Sequence, residues 1–426
     1  MTNSVAKARA APVSPPRLRE TPQRDLWAEE AVDESAFSIV RRRMMLDGCK
    51  WDPQVGDSST LLPFPLVLKS SVWRQLACKA ELLTAEAFAA EEEISRRPEL
   101  LEKLGLPQSL ARVVAGKTPL TPAAGRVMRF DFHHTTSGWQ ISEANTDVPG
   151  GFTEASDFIT MMAGHYQHLQ TPGNPADVWS ETLASVAGPS GVVALLTAPG
   201  YLEDHQVMAF LAARLRDRGC RPHLVKPEQV VWRDDLAHLQ TKWYRGPLNA
   251  IVRFYQAEWL SRLPAESGWK SFFRGGKTPV TNPAQAVISE SKRFPLLWEN
   301  LSTKLPTWRA LLPETRDPRD APLSSDDGWV LKTAFCNTGD MVSVREWLPS
   351  GAWLRTRLAA RLSPGYWVAQ RRFESVPVPT PAGLQHVCLG VYTINGRTAG
   401  AYARCSQKPL IDFAASDVAL LLEDDE

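Results

Sequence analysis

Residues 126–152 read RVMRFDFHHTTSGWQISEANTDVPGGF. Two runs of alternating polar and apolar residues flank Thr-Thr-Ser-Gly, the pattern of a β-hairpin in which Gly138 takes a left-handed position. A loop of Thr136, Ser137 and Gly138 pairs residues whose numbers sum to 274, so Asp131 faces Glu143 and Arg129 faces Asn145. Side chains alternate along a strand, and all four therefore point from one face. Three oxygen-bearing side chains and one guanidinium converge there. Carboxylate and amide oxygens suit Mg²⁺, which keeps waters and takes further ligands from nucleotide phosphates, and a planar arginine suits a migrating phosphoryl group. The competing reading is an exposed hairpin with cross-strand charge pairs, which contribute only tenths of a kcal/mol to folding.

Outward from the hairpin, the chain divides by composition. Residues 1–25 carry five basic residues and four prolines without an apolar signal core, and are expected to be a disordered tail. Residues 26–187 are expected to form an N-terminal helical segment plus the metal-binding hairpin (126–152). In SSVWRQLACKAELLTAEAFAAEEEISRRPELLEKLGL (70–106) the apolar spacing is helical from a serine pair to Gly105. Residues 188–283 alternate strand and helix: GVVALLTAPG, a helix from Leu202 to Arg218 with Gly219 as its cap, then strands at HLVKP and LNAIVRF, followed by a Gly/Pro/Ser-rich stretch at 264–283. That alternation predicts a Rossmann-like βαβ unit on a parallel sheet, a substrate-side lobe without the GxGxxG of a dinucleotide site. Residues 284–426 read as helix (SESKRFPLLWENL), strand (GWVLKTA), loop (FCNTGD), strand, helix (AWLRTRLAARL) and strand (YWVAQRRF), closed by a hairpin around Asn395-Gly396.

Whole-chain numbers limit the partners. The 426 residues include 48 Lys+Arg against 47 Asp+Glu, a formal charge of +1, which supplies no field for nucleic acid or an anionic membrane. No apolar run approaches the roughly 18 residues of a spanning helix. Six scattered cysteines without a CxxC point to a reducing, cytoplasmic location. The sequence is silent on oligomeric state.

The spacing R-x-D, hairpin, E-x-N, with Thr153-Glu154 just beyond, resembles the glutathionylspermidine synthase family, circularly permuted ATP-grasp amide ligases. The resemblance extends in order over residues 126–426: Lys292 ahead of an apolar helix, Lys332 in WVLKTA, a glycine-bearing loop with Asn337 and Gly339, Gln370 ending WVAQ, and Arg404 in the terminal hairpin. It implies an α/β (α+β) fold of the ATP-grasp type and an ATP-dependent ligase joining a carboxylic acid to an amine through an acyl phosphate. ATP and Mg²⁺ would be its cofactors, and two small molecules its substrates. Asp131, Glu143 and Asn145 would hold the metal. Lys292 and Lys332 would neutralise phosphate charge, Asn337 and Gly339 would cover the phosphates, Gln370 would face the adenine, and Arg129 and Arg404 would stand at the transferred group. A kinase-like phosphotransferase and a non-catalytic nucleotide-binding scaffold are the alternatives. Members that use glutathione are serine-rich after E-x-N, whereas Asp147, Val148, Pro149, Gly150 and Gly151 follow here, which favours a smaller or less polar acid.

Other motifs are decoys. GGKT at 275–278 lacks the earlier glycine of a phosphate-binding loop, and SESK at 289–292 lacks the partners of an acyl-serine enzyme. His133, His134, His165 and His168 have no regular metal-ligand spacing, so satisfied or exposed histidines are expected. The tryptophans fall mostly at core-packing positions.

Overall fold

The computed structural model describes residues 25–51, 54–55, 58–115, 125–335 and 342–425. At its centre lies an antiparallel sheet in the order Ser416–Val418, Arg397–Ser406, Gly383–Ile394, Val127–Thr135, Gly138–Asn145, with Val378–Thr380 alongside Gly383–Ile394. Period-two alternation divides its two faces. Phe130, Phe132, Leu389, Val391, Ala401 and Ala403 enter the main core, whereas Arg129, Asp131, His133, Cys388, Tyr402 and Arg404 line a cleft. The turn at Asn395-Gly396 has both residues at positive φ, 50° and 81°, as a tight two-residue hairpin requires.

Helix Ser70–Ser95 crosses the core face, burying Leu76, Ala80, Leu83, Ala87, Ala90 and Ile94 at helical spacing. It stops ten residues short of Gly105. Pro98 disfavours a helical conformation for Arg97, which takes φ −126° and ψ 81°, and two short helical pieces follow before Gly105 at φ 75°. The segment expected to be helical also holds strands. Leu26–Ala28 and Leu66–Lys69 form a sheet with Leu420–Glu423, which pairs parallel to Leu66–Lys69 and joins the two ends of the chain.

The βαβ expectation corresponds to a four-stranded parallel sheet ordered Val280–Thr281, Ala250–Phe254, Val192–Thr197, Arg221–Val225. Helix Leu202–Asp217 packs on it and ends at Gly219, φ 79°. The Gly/Pro/Ser-rich stretch supplies its outermost strand. The last unit has a small core of its own, with Trp329, Leu331, Trp353, Ala360 and Ala369 between helix Ser350–Leu362 and a sheet ordered Thr315–Arg316, Trp367–Arg371, Trp329–Thr333, Val342–Val344. SESKRFPLLWENL, expected as one helix, is broken: Ala286–Glu290 is α-helical, Phe294–Asn300 is a 3₁₀ helix with Pro295 in its first turn, and the Lys292 N–H donates to Ala334 O instead of continuing a helix. Among the described residues no helix is long and apolar enough to cross a membrane.

Candidate active site

The hairpin reaches its predicted pairing by a different route. Thr135 pairs with Gly138, leaving the two-residue loop Thr136-Ser137, and near the tip paired numbers sum to 273. A bulge at Ser142 then adds one residue, restoring Asp131 opposite Glu143 and Arg129 opposite Asn145. Because two residues now oppose one, Ser142 and Glu143 both line the cleft while Ile141 and Ala144 face the core. Gly138 has φ 91°.

Arg129 lies flat against Asp131, with Nε 2.7 Å from Oδ1 and Nη2 2.9 Å from Oδ2, and its Nη1 donates to Gly150 O at 3.0 Å. The far side of the guanidinium stacks over Tyr402, 5.5 Å from the ring centre. Gly390, on the strand between them, makes this possible: a Cβ there would sit 2.4 Å from the Tyr402 ring and 2.9 Å from Arg129 Cδ. Asn145 Nδ2 donates to Asp131 Oδ2 at 3.2 Å.

Two separate elements bring lysines to this hairpin. Lys292, from the broken helix, places Nζ 3.0 Å from Glu143 Oε2, and Lys332, from the small lobe, donates to Ser142 O at 3.2 Å. Burial alone would raise the Glu143 pKa, but Lys292, Lys332 and Arg129 outweigh it and hold the carboxyl at about 2. Glu143 is thus a half-buried, ion-paired carboxylate, not the exposed strand charge of the competing reading. Gln370 lines the same cleft from the strand beside Lys332, its Nε2 donating to Thr315 Oγ1 at 3.1 Å. Asn337 and Gly339 lie outside the described residues.

Arg404 also lines the cleft, but Nη2 donates to Asp412 O at 2.7 Å and to Ala415 O at 3.4 Å, and Nε is 3.7 Å from Asp417. Beside it Lys50 Nζ pairs with Glu154 at 2.6 Å and Asp417 at 3.4 Å. Burial and the nearby Glu154 charge raise the Asp417 pKa, with Lys50 opposing. Lys50 and Asp417 escaped the sequence reading because 367 residues separate them and neither lies in a periodic pattern. His133 is buried 3.0 Å from Ser142 Oγ, and burial together with Lys332 lowers its pKa to about 3, leaving the imidazole neutral. Burial pushes the Cys388 thiol well up and keeps it protonated.

The loop leaving the hairpin is anchored rather than open. Glu290 accepts from the N–H groups of Thr146 and Asp147, Asn282 Nδ2 donates to Val127, Thr146 and Asp147 carbonyls, and the Asp147 carboxylate pairs with Arg253 of the parallel sheet. Asp147 therefore ties two lobes together and does not face the cleft, while Val148, Gly150 and Gly151 do. Gly151, at φ 85°, lies where a Cβ would meet Tyr392 and Tyr402.

The cleft encloses about 280 Å³ between the central sheet, the small lobe and the start of helix Leu202–Asp217. Among the described residues, no group of three or more His, Cys, Asp or Glu side chains is arranged to hold a metal. The hairpin instead offers two carboxylates and an amide, hard oxygens of the kind Mg²⁺ takes, with both Asp131 oxygens engaged by Arg129 and Glu143 engaged by Lys292.

A search of curated proteins finds no match. A glutathione synthetase-like effector from Globodera pallida, solved in its apo form, has a TM-score of 0.62 at 11% identity, covering 91% of this chain and 96% of that one. A chain described as a γ-glutamylcysteine synthetase from Methylobacillus flagellatus KT is more distant, with a TM-score of 0.35 at 10% identity over 67% of this chain and 76% of that one. The fold is that of the ATP-grasp-like ligases. The family described as glutathionylspermidine synthase preATP-grasp matches residues 67–422, and the chain belongs to it.

Proposed function

We propose that this protein is an ATP-dependent carboxylate–amine ligase that works through an acyl phosphate. The observation that carries the reading is the meeting of Lys292 and Lys332, from two different elements, on the consecutive hairpin residues Glu143 and Ser142, which with Lys332 line a cleft between two lobes. Lysines held there would act as point charges for the phosphates of ATP, with Gln370 beside the base and the loop containing Asn337 and Gly339 over the phosphates. Asp131, Glu143 and Asn145 would hold Mg²⁺. When bound, that ion neutralises phosphate charge.

The chemistry divides into two transfers. A carboxylate oxygen of the acid attacks the γ-phosphorus, ADP leaves, and a mixed acyl–phosphate anhydride forms. The deprotonated amine then attacks the carbonyl carbon and displaces inorganic phosphate, leaving an amide and one released proton. Arg129, fixed by Asp131, Gly150 O and the Tyr402 ring, would face the moving phosphoryl charge without reorganising. No nucleophilic side chain is required, in keeping with the protonated Cys388. The test is isotopic. Acid labelled with ¹⁸O in its carboxylate should deliver one label to the released phosphate, and unlabelled phosphate would exclude the acyl phosphate.

A further inference from the structure

The segment between strands Arg397–Ser406 and Ser416–Val418 is unlike the rest of the cleft wall. Pro409, Leu410, Ile411 and Phe413 all line the cleft, and Phe413 is 61% exposed. An exposed large aromatic at the edge of a cleft marks a surface that a ligand covers. Val148 and Val207 line the same space.

The charged groups nearest this segment are engaged with one another. Lys50 pairs with Glu154 and Asp417, and Arg404 holds the segment itself through Asp412 O and Ala415 O, while the Ala414 N–H donates to the Asp412 carboxylate. The Arg404 guanidinium is thus committed to loop carbonyls. What the segment offers a ligand is mainly apolar surface. A polar peptide placed there would lose water contacts without gaining partners.

We propose that residues 409–413, latched by Arg404, form an apolar specificity wall, and that the carboxylic acid substrate carries an apolar substituent that covers it. Arg404 is then a positioning residue for this wall and not a group at the transferred phosphate. The inference rests on the ligase reading and assigns its acid substrate a chemical class.

The test measures ADP release by the purified protein with ATP, Mg²⁺, a panel of amines, and acids of graded side chain: glycine, alanine, valine, leucine, phenylalanine, benzoate and glutathione. The expected result is kcat/KM rising several-fold per added methylene group, with glutathione plus spermidine at background. Phe413→Ser combined with Leu410→Ser should lower the leucine-to-glycine ratio about tenfold, and circular dichroism confirms folding. Arg404→Lys should raise KM for the acid more than KM for ATP, because a single ammonium replaces a planar group whose Nη2 holds both loop carbonyls while its Nε faces Asp417. Equal or better turnover with glutathione, an unchanged ratio in the double variant, or an Arg404→Lys defect confined to ATP would overturn the proposal while leaving the ligase standing. ATP binding without ADP release for any acid would remove the ligase reading and this inference with it.

Discussion

Glu143 and Lys292 show how much a residue's meaning depends on its burial. On an exposed strand, Glu143→Gln would be nearly silent for folding. Here the carboxylate is ionised to about pH 2 beside two lysines, and removing its charge leaves Lys292 facing a neutral amide. Loss of a fully buried ion-pair partner destabilises by about 3 kcal/mol, and loss of the half-buried Glu143 carboxylate by less. Glu143→Gln is therefore expected to abolish ATP turnover and also lower the thermal midpoint by several degrees, which calorimetry checks. Lys332 reaches the backbone carbonyl of Ser142, and its charge also lowers the Glu143 pKa. Lys332→Ala should weaken nucleotide binding by an amount that shrinks as salt rises, since a point charge is screened. A salt-independent defect in titration calorimetry would argue that Lys332 acts through packing instead.

The hairpin is the element in which sequence and structure agree for an unexpected reason. The alternation and the TTSG signal made a hairpin legible, and the site register came out as expected even though the turn is one residue shorter, because the bulge at Ser142 compensates. A bulge leaves no mark in a period-two pattern, so neither it nor the placement of Ser142 in the cleft could be read in advance. The helix carrying Lys292 was misread for a similar reason: apolar spacing continues across SESKRFPLLWENL, while the break depends on a backbone bond to Ala334, a long-range partner. The Gly/Pro/Ser-rich stretch at 264–283 gave no strand signal because its strand, Val280–Thr281, is only two residues long. Gly390 gives the test at this scale. Its missing side chain admits both Arg129 and Tyr402, so Gly390→Ala should displace the guanidinium and lower kcat about a hundredfold while the central sheet still folds. Wild-type turnover in that variant would show that the Arg129 placement has no bearing on catalysis.

At the scale of the whole molecule, the sequence made its separate parts legible but not how they join. The parallel sheet, the terminal hairpin and the small lobe's strands were visible as local patterns. The contacts that assemble them were not: Leu420–Glu423 beside Leu66–Lys69, Lys50 against Asp417, and Asp147 against Arg253 each connect segments more than a hundred residues apart. Such contacts also set the response to pH. Glu143, lowered to about 2, contributes stability that is present above its unfolded pKa and lost as pH falls toward 2. Burial, and then the Asp147 charge, raise Glu258 to about 7, so its contribution is present below about 4.5 and lost as pH rises through 7. From these two groups the thermal midpoint should peak near pH 4.5 and decline as pH rises to about 7, and Glu258→Gln should flatten the decline. A midpoint that rises from pH 5 to 7 would contradict this assignment. The central claim is that two lobes close on ATP to join an acid to an amine, and the most direct measurement follows ADP and product mass together. The account predicts that ADP is released turnover after turnover only when acid and amine are both present, in one-to-one ratio with a product whose mass is their sum less one water. Sustained ADP formation without an amide, or a final product heavier than one substrate by a phosphoryl group, would contradict it.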